Sequence, residues 1–94
     1  LFKMVKKINN NIIVIIYWKD HTADASWVDL TEARKQKPVI CQTIGWLIDE
    51  DKESYRVADS ITSDNGFGGI NVILKSCVTD IWELVFPKAK NKHN

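Results

Sequence analysis

Apolar residues occur along this chain in short runs that are separated by polar and turn-forming segments. Five of the runs have the length and the β-branched or aromatic content of β-strands, whereas only one short window has helical character. The predicted strands are 12–19, 39–49, 54–61, 70–74 and 79–86, and the predicted helix is 30–36. The pattern predicts a mainly β domain with one short helix between strands one and two.

The first predicted strand is the most apolar segment of the chain. Seven of its eight residues are β-branched or aromatic, which is typical of a central strand that is buried on both faces. A polar loop follows, in which Ser26 or Asp29 can cap the helix. Pro38 then ends the helix and begins the second strand.

The second predicted strand has two distinct faces. One face carries Ile40, Ile44, Trp46 and Ile48, and the other carries Cys41, Thr43, Gly45 and Leu47. Glycine beside tryptophan predicts a bend of the kind found where a barrel turns a corner. A turn-rich segment at 62–69 and a tight turn at 75–78 separate the later strands. Five short strands connected in this way favour a small, partly open barrel.

The segments that carry this pattern resemble the SH3-like or Sm-like barrel over roughly residues 38–86. They are Thr43-Ile-Gly-Trp-Leu47, Tyr55-Arg-Val-Ala58, Ile70-Asn-Val-Ile-Leu-Lys-Ser-Cys-Val78 and Ile81-Trp-Glu-Leu84. In that family strands two and three form a long bent hairpin, and a single helical turn links strands four and five. The chain departs from true Sm proteins, which place a helix before the first strand. The resemblance implies a five-stranded small SH3-like or Sm-like barrel.

A second resemblance concerns small proteins encoded by bacteriophages. Trp18-Lys-Asp20, Trp27 and Ile44-Gly-Trp-Leu47 stand in this chain where those proteins have similar residues. Such proteins largely lack an assigned function. The resemblance implies a viral origin, and with it the cytoplasm of a bacterial host cell.

The charges of this chain are unevenly distributed. A chain of 94 residues allows one domain, predicted at 11–87, between a basic N-terminal extension at 1–10 and a basic C-terminal tail at 88–94. The two ends hold six lysines, so the body from Lys19 to Phe86, with seven bases and twelve acids, has a formal charge of −5. RNA binding favours Lys and Arg on the body, so this distribution disfavours nucleic acid as the partner.

No cofactor, metal ion or membrane is predicted as a partner. Cys41 and Cys77 lie in apolar runs without a Cys/His cluster, so a zinc site is not expected. They are either small buried residues or, in an oxidising compartment, a disulfide. The apolar run 11–18 is too short to span a bilayer and lacks a signal-peptide cleavage site, which favours the cytoplasm.

Asp20, His21 and Asp24 form a polar cluster directly after the first predicted strand. A histidine flanked by carboxylates can act as a general base or a metal ligand, but loop residues of this kind more often cap and solvate the chain. Neither a Ser-His-Asp order nor a GxSxG motif is present. We therefore predict that the protein is not an enzyme.

The loop at 64–69 holds three glycines around Phe67. Its backbone amides can face an anion while the phenylalanine stacks on a planar ligand, although a flexible hairpin turn explains the same residues. It is not a P-loop, because the GK[ST] sequence is absent. Trp18 and Trp27 flank a polar loop and are site candidates, whereas Trp46 and Trp82 are predicted to pack in the core.

These candidates lead to one favoured function and two alternatives. We predict a non-catalytic phage protein that binds and sequesters a nucleotide-like immune signal to counter host defence. It is expected to be a homo-oligomer, because subunit interfaces deepen the pocket of so small a chain. The alternatives are an Sm-like RNA-binding ring and a protein-interaction inhibitor of a host enzyme, for which an acidic surface suffices. The predicted ligand-binding residues are Trp18, Asp20, His21, Trp27, Asn65, Phe67 and Lys75.

In this prediction the tryptophans stack on a base and Asp20 accepts a hydrogen bond from a ribose or a base edge. Lys75 and the amides of the glycine-rich loop contact phosphate.

Overall fold

A computed structural model describes residues 12–85 of the chain. The elements are β1 (Ile12–Asp20), α1 (Leu30–Ala33), β2 (Val39–Glu50), β3 (Ser54–Ile61), β4 (Phe67–Leu74), a 3-10 turn (Lys75–Cys77) and β5 (Val78–Glu83). The two predicted basic extensions and Phe86, the predicted end of the last strand, lie outside the described residues.

The five strands form one antiparallel sheet in the order β4-β3-β2-β1-β5. The mainly β class with one short helix is thereby confirmed. Among residues 12–85, β4 pairs only with β3 and β5 pairs only with β1, so the sheet they form is open and these two strands are its edges. Closure into a barrel stays a prediction.

The core lies on one side of the curled sheet. Val14 and Ile16 of β1 pack with Val57 of β3 and Ile73 of β4, and all four are buried. β1 and β4 are separated in the sheet by two other strands, so the sheet must curl to bring their side chains together. Six partly buried residues surround this cluster: Ile12, Trp18, Leu47, Tyr55, Val78 and Ile81.

The other side of the sheet is partly exposed, which contradicts the prediction that β1 is buried on both faces. Ile13, Ile15 and Tyr17 alternate with the buried residues of β1 and remain partly accessible. Alternate side chains of a strand point to opposite faces, and a single open sheet covers only one of them. We call the side opposite the core the outer face.

The core positions predicted for Trp46 and Trp82 are also wrong. Trp46 pairs with Ile13 and Trp82 pairs with Ile15, so both indoles lie on the outer face and neither belongs to the core cluster. Trp18 packs against the core instead. Paired residues of antiparallel strands share a face of the sheet. The faces of Trp46 and Trp82 therefore follow from the β1 residues with which they pair.

Gly45 lies where β2 passes from one partner strand to the next. β2 pairs with β1 up to Leu47 and with β3 from Trp46 onwards, with a register shift between Leu47 and Asp49. A Cβ atom on Gly45 would collide with the backbone carbonyl of Ala58. This close approach of two backbones explains why the position lacks a side chain.

The segment between β1 and β2, residues 21–38, is exposed at every position, and we call it the arm. Its helix is only four residues long, shorter than the predicted 30–36, because a short helix that buries no face is marginal in water. Asp29 is the N-cap and accepts a hydrogen bond from the Glu32 amide at 2.9 Å. Ser26, the other predicted cap, bonds to Asp24 instead.

The hairpin between β3 and β4 is tighter than predicted. β4 begins at Phe67 rather than at residue 70, so the turn comprises only residues 62–66. Asn65 occupies the left-handed region at φ 69°. The predicted tight turn after β4 is present as the 3-10 turn.

Candidate functional site

The end of β1 forms one wall of a cleft of about 270 Å³. Trp18, Lys19, Asp20 and His21 lie on this wall, and the last three residues of β4 together with Cys77 lie opposite. The curl of the sheet creates the cleft, since β1 and β4 are not neighbours in it. Three of the seven predicted ligand-binding residues are brought together here.

Trp18 is held in a fixed orientation at the floor of this cleft. Its indole Nε1 donates a hydrogen bond to Thr43 Oγ1 on β2 at 2.9 Å. Its ring also packs against the core cluster. A ring fixed in this way loses little conformational entropy when a planar ligand stacks on it.

Asp20 and His21 carry the polar chemistry of the cleft. The Asp20 Oδ1 and His21 Nδ1 atoms are 3.6 Å apart, with side chains 48% and 90% exposed. The pair becomes an ion pair when the imidazole is protonated. The cleft thus offers a hydrogen-bond acceptor in the Asp20 carboxylate and an imidazole in His21 whose ring nitrogens donate or accept hydrogen bonds.

The opposite wall is apolar. Val72 and Leu74 are 59% and 54% exposed at the edge of the sheet, and Cys77 is partly buried. Cys41 and Cys77 are both free thiols, so they do not form the disulfide that the sequence left open. An aromatic floor, one apolar wall and one polar wall are typical of small-molecule clefts.

A second cleft of about 200 Å³ lies near the start of β1. Glu50 and Glu83 line it together with apolar side chains that include Tyr55 and Ile81. Lys75 Nζ neutralises Glu50 at 2.8 Å, so Glu83 leaves this lining with a net negative charge, which disfavours an anionic ligand. The cleft at Trp18 is therefore the better candidate for a nucleotide.

Trp27 does not line either cleft. Its side chain is 100% exposed on the arm. Near it, Asp24 accepts hydrogen bonds from the hydroxyl and the amide of Ser26, and these bonds lower the pKa of Asp24. The arm is thus ordered by its own polar contacts, but it does not bring Trp27 to the cleft of its own chain.

Asn65 and Phe67 lie at the β3–β4 hairpin and also do not line the cleft. The amides of Asn65 and Gly66 already donate to the backbone oxygen and the hydroxyl of Thr62, at 3.0 and 2.7 Å. The Thr62 hydroxyl lowers the pKa of Asp64, which places a carboxylate at the same turn. A phosphate bound here would have to displace these bonds and meet a negative charge.

Lys75 is engaged outside the cleft. Its Nζ atom donates to Glu50 Oε1 at 2.8 Å and lies 4.8 Å from the centre of the Tyr55 ring. The hydrogen bond to Glu50 raises the pKa of Lys75. The structure therefore does not bring Lys75 into the cleft with Trp18, Asp20 and His21.

Sequence reasoning missed Lys19, Val72, Leu74 and Cys77 as lining residues. Lys19 stands between two predicted site residues, so its position in the sequence was a usable signal. The residues of β4 and the 3-10 turn lie more than 50 positions from Trp18 and meet it only through the curl of the sheet. No local pattern reveals that contact.

Comparisons with family models, curated proteins and solved structures found no match to this chain. Within residues 12–85 no group of three or more His, Cys, Asp or Glu side chains is arranged to hold a metal ion. None of the helices in that range is long and apolar enough to cross a membrane. Function is therefore inferred from the residues and the geometry of the cleft.

Proposed function

We propose that this protein is a non-catalytic binding protein that holds a nucleotide-like molecule in the cleft at the end of β1. The observation that carries the proposal is the convergence of Trp18, Asp20 and His21, three of the predicted binding residues, with Lys19 in one cleft. Each group has a counterpart in a nucleotide. The indole stacks on the base, Asp20 accepts from a ribose hydroxyl or a base amino group, and the His21 imidazole donates to a phosphate oxygen.

The volume of the cleft supports a ligand of modest size. About 270 Å³ is slightly below the usual range for drug-sized ligands, which begins at about 300 Å³. A base and its sugar occupy such a space, and the phosphate then lies at the mouth beside His21, whose side chain is 90% exposed. Sequestration requires only tight binding, and that role against host defence stays a prediction based on the phage resemblance.

We also propose that the curled sheet is a small barrel of the SH3-like or Sm-like type. Three features support this: the strand order, the long β2–β3 hairpin with its register shift, and the 3-10 turn that links β4 and β5. A Sm-like ring would bind RNA, but the segment from Val39 to Val85 contains eight acids and three bases. This charge favours a small ligand over a polynucleotide.

Isothermal titration of the purified protein with a panel of cyclic dinucleotides and ADP-ribose isomers tests the function. At least one member should bind, and Asp20→Asn and His21→Ala should each weaken that binding about tenfold or more, as expected for lost hydrogen bonds to a charged group. Asp49→Asn is the matched control, because this carboxylate is 64% exposed and lies outside the cleft.

Two outcomes would overturn the proposal. In the first, a panel member binds and the cleft variants bind it as well as the control does. In the second, no panel member binds, and a single-stranded RNA oligonucleotide or a co-purified host enzyme binds instead. RNA would favour the ring, and a host enzyme would favour the inhibitor.

A further inference from the structure

The arm exposes apolar side chains that its own chain does not bury. Trp27 is 100% exposed, Leu30 is 63% exposed and Val28 is 46% exposed. Single exposed apolar residues are common, but a fully exposed tryptophan beside two aliphatic residues on one short segment is typical of an interaction surface.

The arm is nevertheless ordered. Thr22 Oγ1 donates to the Lys37 carbonyl at 3.2 Å and so joins its two ends. Asp24 binds Ser26 near the middle, and Asp29 caps the helix. A segment that is ordered before binding loses less entropy when it docks.

We propose that Trp27 of one copy packs over the mouth of the cleft at Trp18 of a second copy, so that two chains exchange their arms about a twofold axis. The contact would supply the cleft with a second aromatic wall, and a base would stack between Trp18 and the Trp27 of the other copy. The dimer contact stands by itself, whereas its role in holding the ligand rests on the proposed function.

Position and reach favour a second copy as the occupant. The arm begins at His21, which is on the rim of the cleft. Trp27 is six positions after His21, and an extended chain of that length spans at most about 20 Å. A twofold axis near the rim therefore brings each arm to the other cleft, while the full exposure of Trp27 shows that its own cleft does not hold it.

The exposed apolar side chains of the arm and the cleft supply a substantial part of the area that a dimer interface needs. A tryptophan buries about 150–250 Å². Since a twofold contact counts each residue twice, Trp27 alone supplies about 300–500 Å² of the roughly 1,200 Å² that a specific interface needs. Val28 and Leu30 of the arm, and Val72 and Leu74 of the cleft wall, are about half-exposed or more and supply further apolar area on both sides.

The arm as a whole is neutral, with three acids and three bases, but its C-terminal end is basic. Arg34 and Lys37 at the C-terminal end of the arm have no carboxylate within salt-bridge distance among residues 12–85. The segment from Val39 to Val85 has a formal charge of −5. Docking the basic end of one arm against the acidic sheet of another copy is favourable, whereas two copies joined through their sheets would repel.

Cross-linking tests the contact without any ligand. In a Cys41→Ser background, Val28→Cys places one thiol beside Trp27, and Cys77 supplies the thiol in the cleft. A short bifunctional maleimide should then give covalent dimers, which disappear when Cys77→Ser is added. Ser63→Cys at the β3–β4 turn is the control for an exposed thiol elsewhere and should give few dimers with Cys77.

Light scattering after size exclusion gives a second measurement. The natural chain should be a dimer, and Trp27→Ala should raise the dimer dissociation constant about 100-fold or more, as for a buried aromatic anchor. Phe67→Ala removes another exposed aromatic side chain, 45% exposed, and should leave the dimer intact. Because the side chain of Trp27 is 100% exposed, its variant should fold normally.

A monomeric natural chain, a Trp27→Ala variant that still forms dimers, or cross-links that do not depend on Cys77 would each overturn the inference. The two proposals fail separately. Dimers with the expected cross-link but no nucleotide binding would refute the function and leave the contact standing. Nucleotide binding by a monomer, unchanged in Trp27→Ala, would refute the contact and leave the function standing.

Discussion

The sheet and the arm both contain large aliphatic and aromatic side chains, but the sheet buries part of its set and the arm exposes all three of its own. In the sheet, strand pairing and curl bury Val14, Ile16 and Val57 completely. In the arm, Trp27 and Leu30 are held in place by polar contacts and remain in water. The difference indicates that stability is concentrated in the sheet, whereas the arm is built for a contact outside its own chain.

The largest expected effect is the loss of a core side chain. Ile16→Ala should reduce the free energy of unfolding by about 2–5 kcal/mol, because it removes a fully buried side chain and leaves a cavity. Ile44→Ala on the outer face, 58% exposed, should change it by about 0.5 kcal/mol or less. Urea unfolding followed by circular dichroism measures both, and equal losses would contradict the one-sided core.

A methyl group at the crossing of β2 and β3 should have the next largest effect. Gly45→Ala would push a Cβ atom into the Ala58 carbonyl and should cost about 1–3 kcal/mol. At Gly68 the nearest atom to an added Cβ is Ser60 Cβ at 3.7 Å, so Gly68→Ala should be tolerated. Urea midpoints compare the two variants, and a neutral Gly45→Ala would show that the backbones are not so close.

Acid should weaken the sheet through Asp51. This carboxylate accepts the amides of Glu53 and Ser54 at 2.8 Å and pairs with Arg56 at 2.9 Å, and these contacts lower the pKa of Asp51. A lowered pKa stabilises the folded state above the ordinary value of 3.8, and the stabilisation is lost as the pH falls below it. The urea concentration at the unfolding midpoint should therefore decrease as the pH is lowered from about 4 to about 2. The decrease should be smaller in Asp51→Asn.

Asp24→Asn is the matched variant in the arm. The pKa of Asp24 is also lowered, by the contact with Ser26 two residues away. That contact can form in the unfolded chain as well, so the variant should leave the acid transition of the whole protein almost unchanged. If the two variants flatten the acid transition equally, the arm contributes to global stability as much as the sheet does.

The smallest expected effect concerns the cap of α1. Asp29→Ala removes the carboxylate that accepts from the Glu32 amide, and backbone chemical shifts should show loss of the four-residue helix. The free energy of unfolding should change by about 0.5 kcal/mol or less, because α1 has no buried residue. A larger loss of unfolding free energy would show that α1 packs against the sheet.

The sequence was informative where the signal is local. The β-branched run of β1 and the turn residues around it predicted the strand within one residue at its end. The helix was overestimated because nothing packs on it, and β4 was underestimated because Gly68 and Gly69 resemble a loop. Strand pairing decides which face of the sheet a tryptophan occupies. The core side of Trp18 and the outer face of Trp46 and Trp82 could therefore not be predicted from the neighbouring sequence.

The candidate site residues also fall into a group that the local sequence predicted and a group that depends on the fold. Trp18, Asp20 and His21 are consecutive or nearly so, and they were found because they share one end of one strand. Asn65, Phe67 and Lys75 were predicted to join them from a second loop. The structure leaves these three residues at other places, Lys75 with Glu50 and the other two at the β3–β4 hairpin.

Hydrogen exchange measured by mass spectrometry at several protein concentrations tests the division between sheet and arm most directly. The account predicts strong protection of β1 and β2 at every concentration. It predicts protection of residues 26–30 only where the dimer forms, and loss of that protection in Trp27→Ala. An arm that exchanges at one rate regardless of concentration, or that is protected as strongly as β1 in the dilute monomer, would contradict it.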